Sequence, residues 1–148
     1  MDIAVKYNPD LMSCGWNIDR PGLAADTGLE TAVILSLFTD RRAHGDDILP
    51  SGDDRRGWWA DAHADVEGDR WGSRLWLLAR SKQMPDVLRR AEEYAREALQ
   101  WLIEDRVMQS VQCRAEIVRT GVLGLTVVMT RGNNLAVRYR FEIFWKGN

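Results

Sequence analysis

The side-chain pattern of Pro85–Arg106, PDVLRRAEEYAREALQWLIEDR, is that of a helix. At 3.6 residues per turn Val87, Leu88, Ala91, Tyr94, Ala95, Ala98, Leu99 and Leu102 share one face, while Arg89, Arg90, Glu93, Arg96, Glu97 and Gln100 share the other. The reading is an amphipathic rod of about five to six turns, roughly 30 Å long. Pro85 suits a first turn, where a missing N–H costs nothing, and Asp86 favours the positive end of the dipole. Glu92 and Arg96 stand four apart and attract; Glu93 and Glu97 repel weakly. A stripe this wide needs a sheet or further helices to cover it.

The cover is legible downstream, where the period drops to two. Val111, Cys113, Ala115 and Ile117 alternate with Gln112, Arg114 and Glu116. Thr120-Gly121 turns the chain, and Leu123, Leu125, Val127 and Met129 form the next apolar row. After Arg131-Gly132-Asn133-Asn134, the residues Leu135, Val137, Tyr139, Phe141, Ile143 and Trp145 form the last. Two successive hairpins make a three-stranded antiparallel meander with one greasy face for the helix.

Upstream, Asp2–Tyr7 alternates as a short strand with Ile3, Val5 and Tyr7 inward, ended by Asn8-Pro9-Asp10. Its residues Asp2–Lys6 are expected to cover one edge of the meander. A second extended piece spans Gly15–Asp19. Thr27 with Glu30 fits a capping box opening a helix over Gly28–Thr39, apolar on most sides. Asp40–Arg70 reads as a long irregular connection broken by Gly45, Pro50, Gly52, Gly57 and Gly68; Trp71–Arg80 reads as a short helix with Leu75 and Leu78 inward. The fold class is α+β, and residues 1–148 form a single domain.

Composition narrows the function. A net charge of −2 lacks the basic footprint of a nucleic-acid binder, and no apolar run is long enough to span a bilayer. The first ten residues carry no secretory leader pattern. Cys14 and Cys113 have no metal-type spacing and read as two buried, reduced thiols. The unusual count is seven tryptophans.

Two of these, Trp58 and Trp59, follow Arg55-Arg56-Gly57 in the long connection. Aromatics beside arginines can stack on bases or sugars while the cations take phosphate. Asp53, Asp54 and Asp61 cancel the local field, however, and Trp with Arg also marks protein interfaces. Loop packing or a protein interface is the stronger reading. Asp61, His63, Asp65, Glu67 and Asp69 alternate, but the glycine at position 68 comes too late for a calcium loop and Gly72 occupies the place of its closing glutamate. A glycosidase would need two carboxylates about 5–10 Å apart across a cleft, a pair that the Asp53–Asp69 stretch leaves open. No serine-hydrolase, phosphate-loop or zinc-protease motif is present. Glu104-Asp105-Arg106 closes the long helix, where a Glu–Arg pair forms either a helix-end ion pair or a partner contact.

Thr27–Ala43 (TGLETAVILSLFTDRRA), Asp53–Asp61 (DDRRGWWAD), Gly72–Arg80 (GSRLWLLAR) and Ala91–Asp105 (AEEYAREALQWLIED) resemble, in this order, the gene-46 product family of Mu-like phages and prophages. That family is similar to the small baseplate wedge protein of contractile tails, the gene-25 type of T-even phages, which has a counterpart in type VI secretion baseplates. The resemblance implies a non-enzymatic wedge subunit without cofactor or metal. It would sit in the tail baseplate of the virion, after assembly in the host cytoplasm, and would contact other wedge, hub and sheath proteins and help start sheath polymerisation. Neither nucleic acid nor membrane is implied as a partner. The wider family's Glu-Pro-Arg motif falls on Glu104, Asp105 and Arg106, with Asp in place of Pro. The fold implied is like the sheath-subunit domain that exchanges strands with neighbours, so strand edges offer a route to homo-oligomers. The interface residues expected on both grounds are Arg55, Arg56, Trp58, Trp59, Glu104 and Arg106. The alternative is a tail-associated, muramidase-like enzyme using acids of the Asp53–Asp69 loop.

Overall fold

Alternation with short turns produces the sheet the C-terminal half calls for. In the computed structural model, which describes residues 2–145 apart from Asn17, Arg20, Pro21, Ala24, Thr27, Gly28, Lys82 and Gln83, three long strands pair antiparallel in sequence order. They are β7 (Ser110–Arg119), β8 (Val122–Thr130) and β9 (Ala136–Phe144), numbered after the six short N-terminal strands given below. Gly121 turns the first hairpin at φ +76°, a value that a side chain would strain. The register aligns Ala115 with Leu125 and Leu125 with Phe141, so three apolar side chains lie side by side on the inner face. Leu125, Val127 and Met129 are wholly buried there. Leu135 departs from its expected place: it sits in the turn and is 62% exposed.

The helix that covers this face is α2 (Met84–Ala98), continued after a break by α3 (Trp101–Glu104). Val87, Ala91, Tyr94, Ala95, Ala98, Leu99 and Leu102 are all buried. Fully burying each leucine stabilises the fold by about 1.5–3 kcal/mol. The expected continuous rod to Arg106 is therefore corrected. Around Gln100 the hydrogen bonds tighten to i→i−3, with Gln100 N on Glu97 O at 3.3 Å and Leu102 N on Leu99 O at 3.1 Å. The tighter turn keeps both Leu99 and Leu102 in the core while the axis bends. Nor do Glu92 and Arg96 pair among the described residues, because Glu92 Oε1 accepts the Ala115 amide of β7 at 2.9 Å.

Helix α1 spans Glu30–Phe38, shorter than expected, with Leu29 at its N-cap and no side-chain cap bond; Thr27 of the expected capping box lies outside the described residues. Val33, Ile34 and Leu37 enter the core. Phe38 packs edge-on against Phe141 of β9 at 5.4 Å and stacks with Tyr7 at 6.3 Å.

The strands of the N-terminal segment pair with one another and not with the strands of the meander. β1 (Asp2–Ile3) pairs with β6 (Ala25–Asp26), β2 (Val5–Asn8) with β3 (Ser13–Trp16), and β4 (Ile18–Asp19) with β5 (Gly22–Leu23). The expected edge-covering strand is thus replaced by a hairpin. Ala4 breaks the alternation: it is buried, whereas Ile3 is 48% exposed. From this segment the Tyr7 hydroxyl reaches the edge of β9, taking the Glu142 amide at 2.9 Å and donating to the Glu142 carbonyl. Cys14 lies exposed on β3, against expectation, while Cys113 is buried on the inner face of β7.

Candidate functional site

The connection Asp40–Arg70 is irregular except for one 3-10 turn, Trp59–His63, and a second 3-10 helix follows at Leu75–Arg80. The latter replaces the helix expected from Trp71 and buries Leu77 and Leu78, while Leu75 is half-buried. The ends of the connection are stapled. Asp40 bridges Ser73, with Arg41 N on Ser73 O and Ser73 N on Thr39 O, both at 2.9 Å. Gly72 makes this approach feasible, at φ +96°, because a Cβ there would sit 2.4 Å from Thr39 O.

Between the stapled ends the tryptophan segment is built on its own backbone. Ala43 N donates to Arg55 O at 2.9 Å, and the Arg55 guanidinium donates to the carbonyls of His44 and Gly45. Arg56 and Gly57 both take positive φ, 51° and 121°, which reverses the chain. Arg56 pairs with Asp40 at 2.7 Å, and its guanidinium lies 4.5 Å from the centre of the Trp76 ring. Trp76 in turn donates its indole N–H to Arg41 O at 2.8 Å. Asp54 accepts the Arg56 amide at 2.8 Å, and Asp61 accepts the Trp71 amide at 3.1 Å. The two arginines therefore brace the segment from within.

The residues so braced are Trp58, 43% exposed, and Trp59, 77% exposed, with ring centres 6.0 Å apart. A large apolar pair held outward on a fixed backbone is a suitable anchor for a partner surface. The acids that follow, Asp65, Glu67 and Asp69, are exposed, and no group of three metal-ligating side chains forms among the described residues.

Glu104 and Arg106 lie at the other end of the helical layer. Both are exposed, and among the described residues they form no ion pair with each other. Arg106 adopts φ 58°, donating its amide to Ile103 O at 3.0 Å, and Met108 N reaches Leu102 O at 2.8 Å to swing the chain into β7. Asp105, where the motif expected from the resemblance would place proline, uses the N–H that proline lacks to reach Trp101 O at 2.8 Å.

Sequence reading missed two features behind these residues. Arg74 bridges Asp47 and Glu97, each at 2.9 Å, and its guanidinium lies 4.5 Å from the Tyr94 ring centre. Burial alone would lower its pKa, yet the hydrogen bonds that it donates to Glu97 and Asp47 outweigh it and raise the value. Beside this network a groove of about 630 Å³ separates Gly68–Gly72 from α2 and α3, with Trp71 against Trp101 at 5.8 Å. A single arginine among Leu and Trp carries no sequence signal of such a bridge.

The family model described as phage protein GP46 matches residues 29–136, from the start of α1 to the start of β9. The chain belongs to the phage protein GP46 family. The match takes in the stapled connection, its tryptophan pair and the Glu104–Arg106 corner. Among GP46-type proteins, the baseplate protein gp46 of Escherichia phage Mu is 44% identical over 130 residues, 87% of this chain and 88% of that protein. The Mu-like prophage FluMu protein gp46 of Haemophilus influenzae is 39% identical over 123 residues, 83% of each chain.

Proposed function

We propose that this chain is a structural subunit of a phage tail baseplate that acts through protein contacts and not by catalysis. The observation carrying the reading is the braced tryptophan pair, two large apolar side chains held outward by a scaffold of backbone and arginine contacts. The baseplate role borne by the Mu relative supports it. The finer reading is a wedge subunit of a contractile tail that holds larger wedge proteins around the hub and helps start sheath polymerisation. Its location is the virion baseplate, reached by assembly in the host cytoplasm.

Trp58 and Trp59 are the primary contacts, with Arg55 and Arg56 fixing their presentation, and Glu104 and Arg106 form a second contact. Strand pairing supplies a route to homo-oligomers through β9, which is an edge strand of its sheet. Asp54 and Asp61, which a muramidase-like site would draw on, are engaged in the turns of the loop itself.

The test is co-purification with neighbouring tail gene products, comparing wild type with Trp58→Ala/Trp59→Ala. The double variant is expected to fold normally and lose its partners. Normal assembly by that variant would overturn the tryptophan assignment.

A further inference from the structure

The outer face of the sheet has a polarity opposite to that of the tryptophan connection. Cross-strand register sets Arg114, Thr126 and Arg140 in one row, and Gln112, Val128 and Arg138 in the next. At one end the charges are satisfied: Arg140 reaches Glu116 at 2.6 Å across Gly124, and Arg119 lies 3.9 Å from Glu142. Gly124 permits this crossing, since a Cβ there would meet Val118 at 2.7 Å and Arg140 at 3.2 Å. Arg138, directly opposite the half-buried Val128, and Arg114, diagonal to it beside Thr126, have no carboxylate partner among the described residues. The helices cover only the inner face, so this basic, aliphatic strip is open.

The tryptophan connection supplies the complement. Its arginines Arg55 and Arg56 are spent on carbonyls and on Asp40, and Arg42 donates to the Arg56 carbonyl; against the exposed Arg42 and Arg70 the surface carries four exposed acids, Asp53, Asp65, Glu67 and Asp69, an acidic excess. We propose that the Trp58–Trp59 pair of one copy seats on the Val128 strip of a second copy, between that copy's Arg114 and Arg138, with the flanking acids facing the arginines. Arginines beside indole faces add cation–π attraction to apolar burial. The two surfaces lie on different parts of the chain, so the contact is heterologous. Such contacts propagate head to tail and close into a ring when the rotation permits. The inference adds a homotypic partner to the interface proposed above and rests on the tryptophan assignment, but not on strand pairing.

The experiment is sedimentation of the full chain at several hundred micromolar and low salt. Wild type is expected to self-associate, and Trp58→Ala/Trp59→Ala and Arg114→Glu/Arg138→Glu are each expected to be monomeric with unchanged circular dichroism. Mixed together, the two variants retain one intact loop and one intact strip. They are expected to form a complex of one copy each and nothing larger. A monomeric wild type, self-association surviving in either variant, or no complex on mixing would each overturn the proposal. If the wild type is monomeric yet co-purifies with other tail proteins through its tryptophans, the homotypic contact fails while the baseplate reading stands.

Discussion

The carboxylate of Glu92 on α2 accepts the backbone amide of Ala115 at 2.9 Å, capping an outward N–H on the edge strand β7. On the opposite edge the Tyr7 hydroxyl does the same for Glu142 of β9. Each edge is thus closed at one point by a side chain from the layer packed on the sheet, which blunts unplanned strand pairing. Removing the first cap by Glu92→Ala is expected to cost about 1–2 kcal/mol, since the amide is part-buried and its acceptor is lost. Glu92→Gln, which keeps an acceptor, should recover most of this in urea unfolding, and faster exchange of the Ala115 amide would identify the site.

Tyr7 makes stability depend on alkaline pH. Burial raises its pKa above 10, partly countered by the hydrogen bond to Glu142. The folded state therefore holds the phenolic proton more tightly than the unfolded state. That contribution is present below pH 10 and is lost as pH rises from 10 through the folded value. Tyr7→Phe is expected to cost about 1 kcal/mol at neutral pH, and the wild-type advantage should shrink above pH 10 in paired unfolding curves.

The buried bridge at Arg74 should tolerate loss of one member poorly. The side chains of Arg74 and Asp47 are each only 11% exposed. Arg74→Ala leaves the buried Asp47 without its cation and Glu97 with only the more distant Arg41, 4.0 Å away, and is expected to cost about 3 kcal/mol, a fall in Tm of roughly 6–12 °C. Calorimetry would check it.

Tryptophans divide by context. Trp58→Ala/Trp59→Ala should change stability by no more than about 1 kcal/mol, because both rings face largely outward. Trp76→Ala should cost about 3 kcal/mol, since it removes a half-buried ring, its hydrogen bond to Arg41 O and the surface beneath Arg56. Chemical denaturation of the two variants side by side separates a docking role from a packing role.

The two thiols should differ in reactivity. Burial pushes Cys113 up to about 11 and raises Cys14 too, but Cys14 is open to reagent on β3 while Cys113 is enclosed. At pH 8 an aromatic disulfide reagent is expected to titrate one thiol quickly in folded protein and both in denaturant. Cys14→Ser should abolish the fast phase.

The meander was legible because Leu123, Leu125, Val127 and Met129 alternate without interruption and a one-residue slip would expose them all. The inner stripe of α2 was equally plain. The bend at Gln100 was not, since glutamine is a good helix former and the bend serves to keep both Leu99 and Leu102 in the core. At the N-terminus the alternation of Ile3, Val5 and Tyr7 suggested one strand, but tertiary packing buried Ala4 and turned Ile3 outward. The pattern picked out Trp58 and Trp59, yet gave no sign that Arg55 would turn to the carbonyls of His44 and Gly45. Contacts between loop residues and backbone leave no periodicity to read.

With Asp40 and Ser73 clasped at its neck, the excursion between them meets the body of the protein at a fixed gate. Closing entropy grows slowly with contour, by about 0.6 kcal/mol for each doubling of length. Residues can therefore be gained or shed at the exposed stretch beyond Trp59, away from Ala43, Asp47 and Arg56, at little thermodynamic penalty to the core. A lineage of such proteins could retool its docking tip for new neighbours while inheriting the framework unchanged.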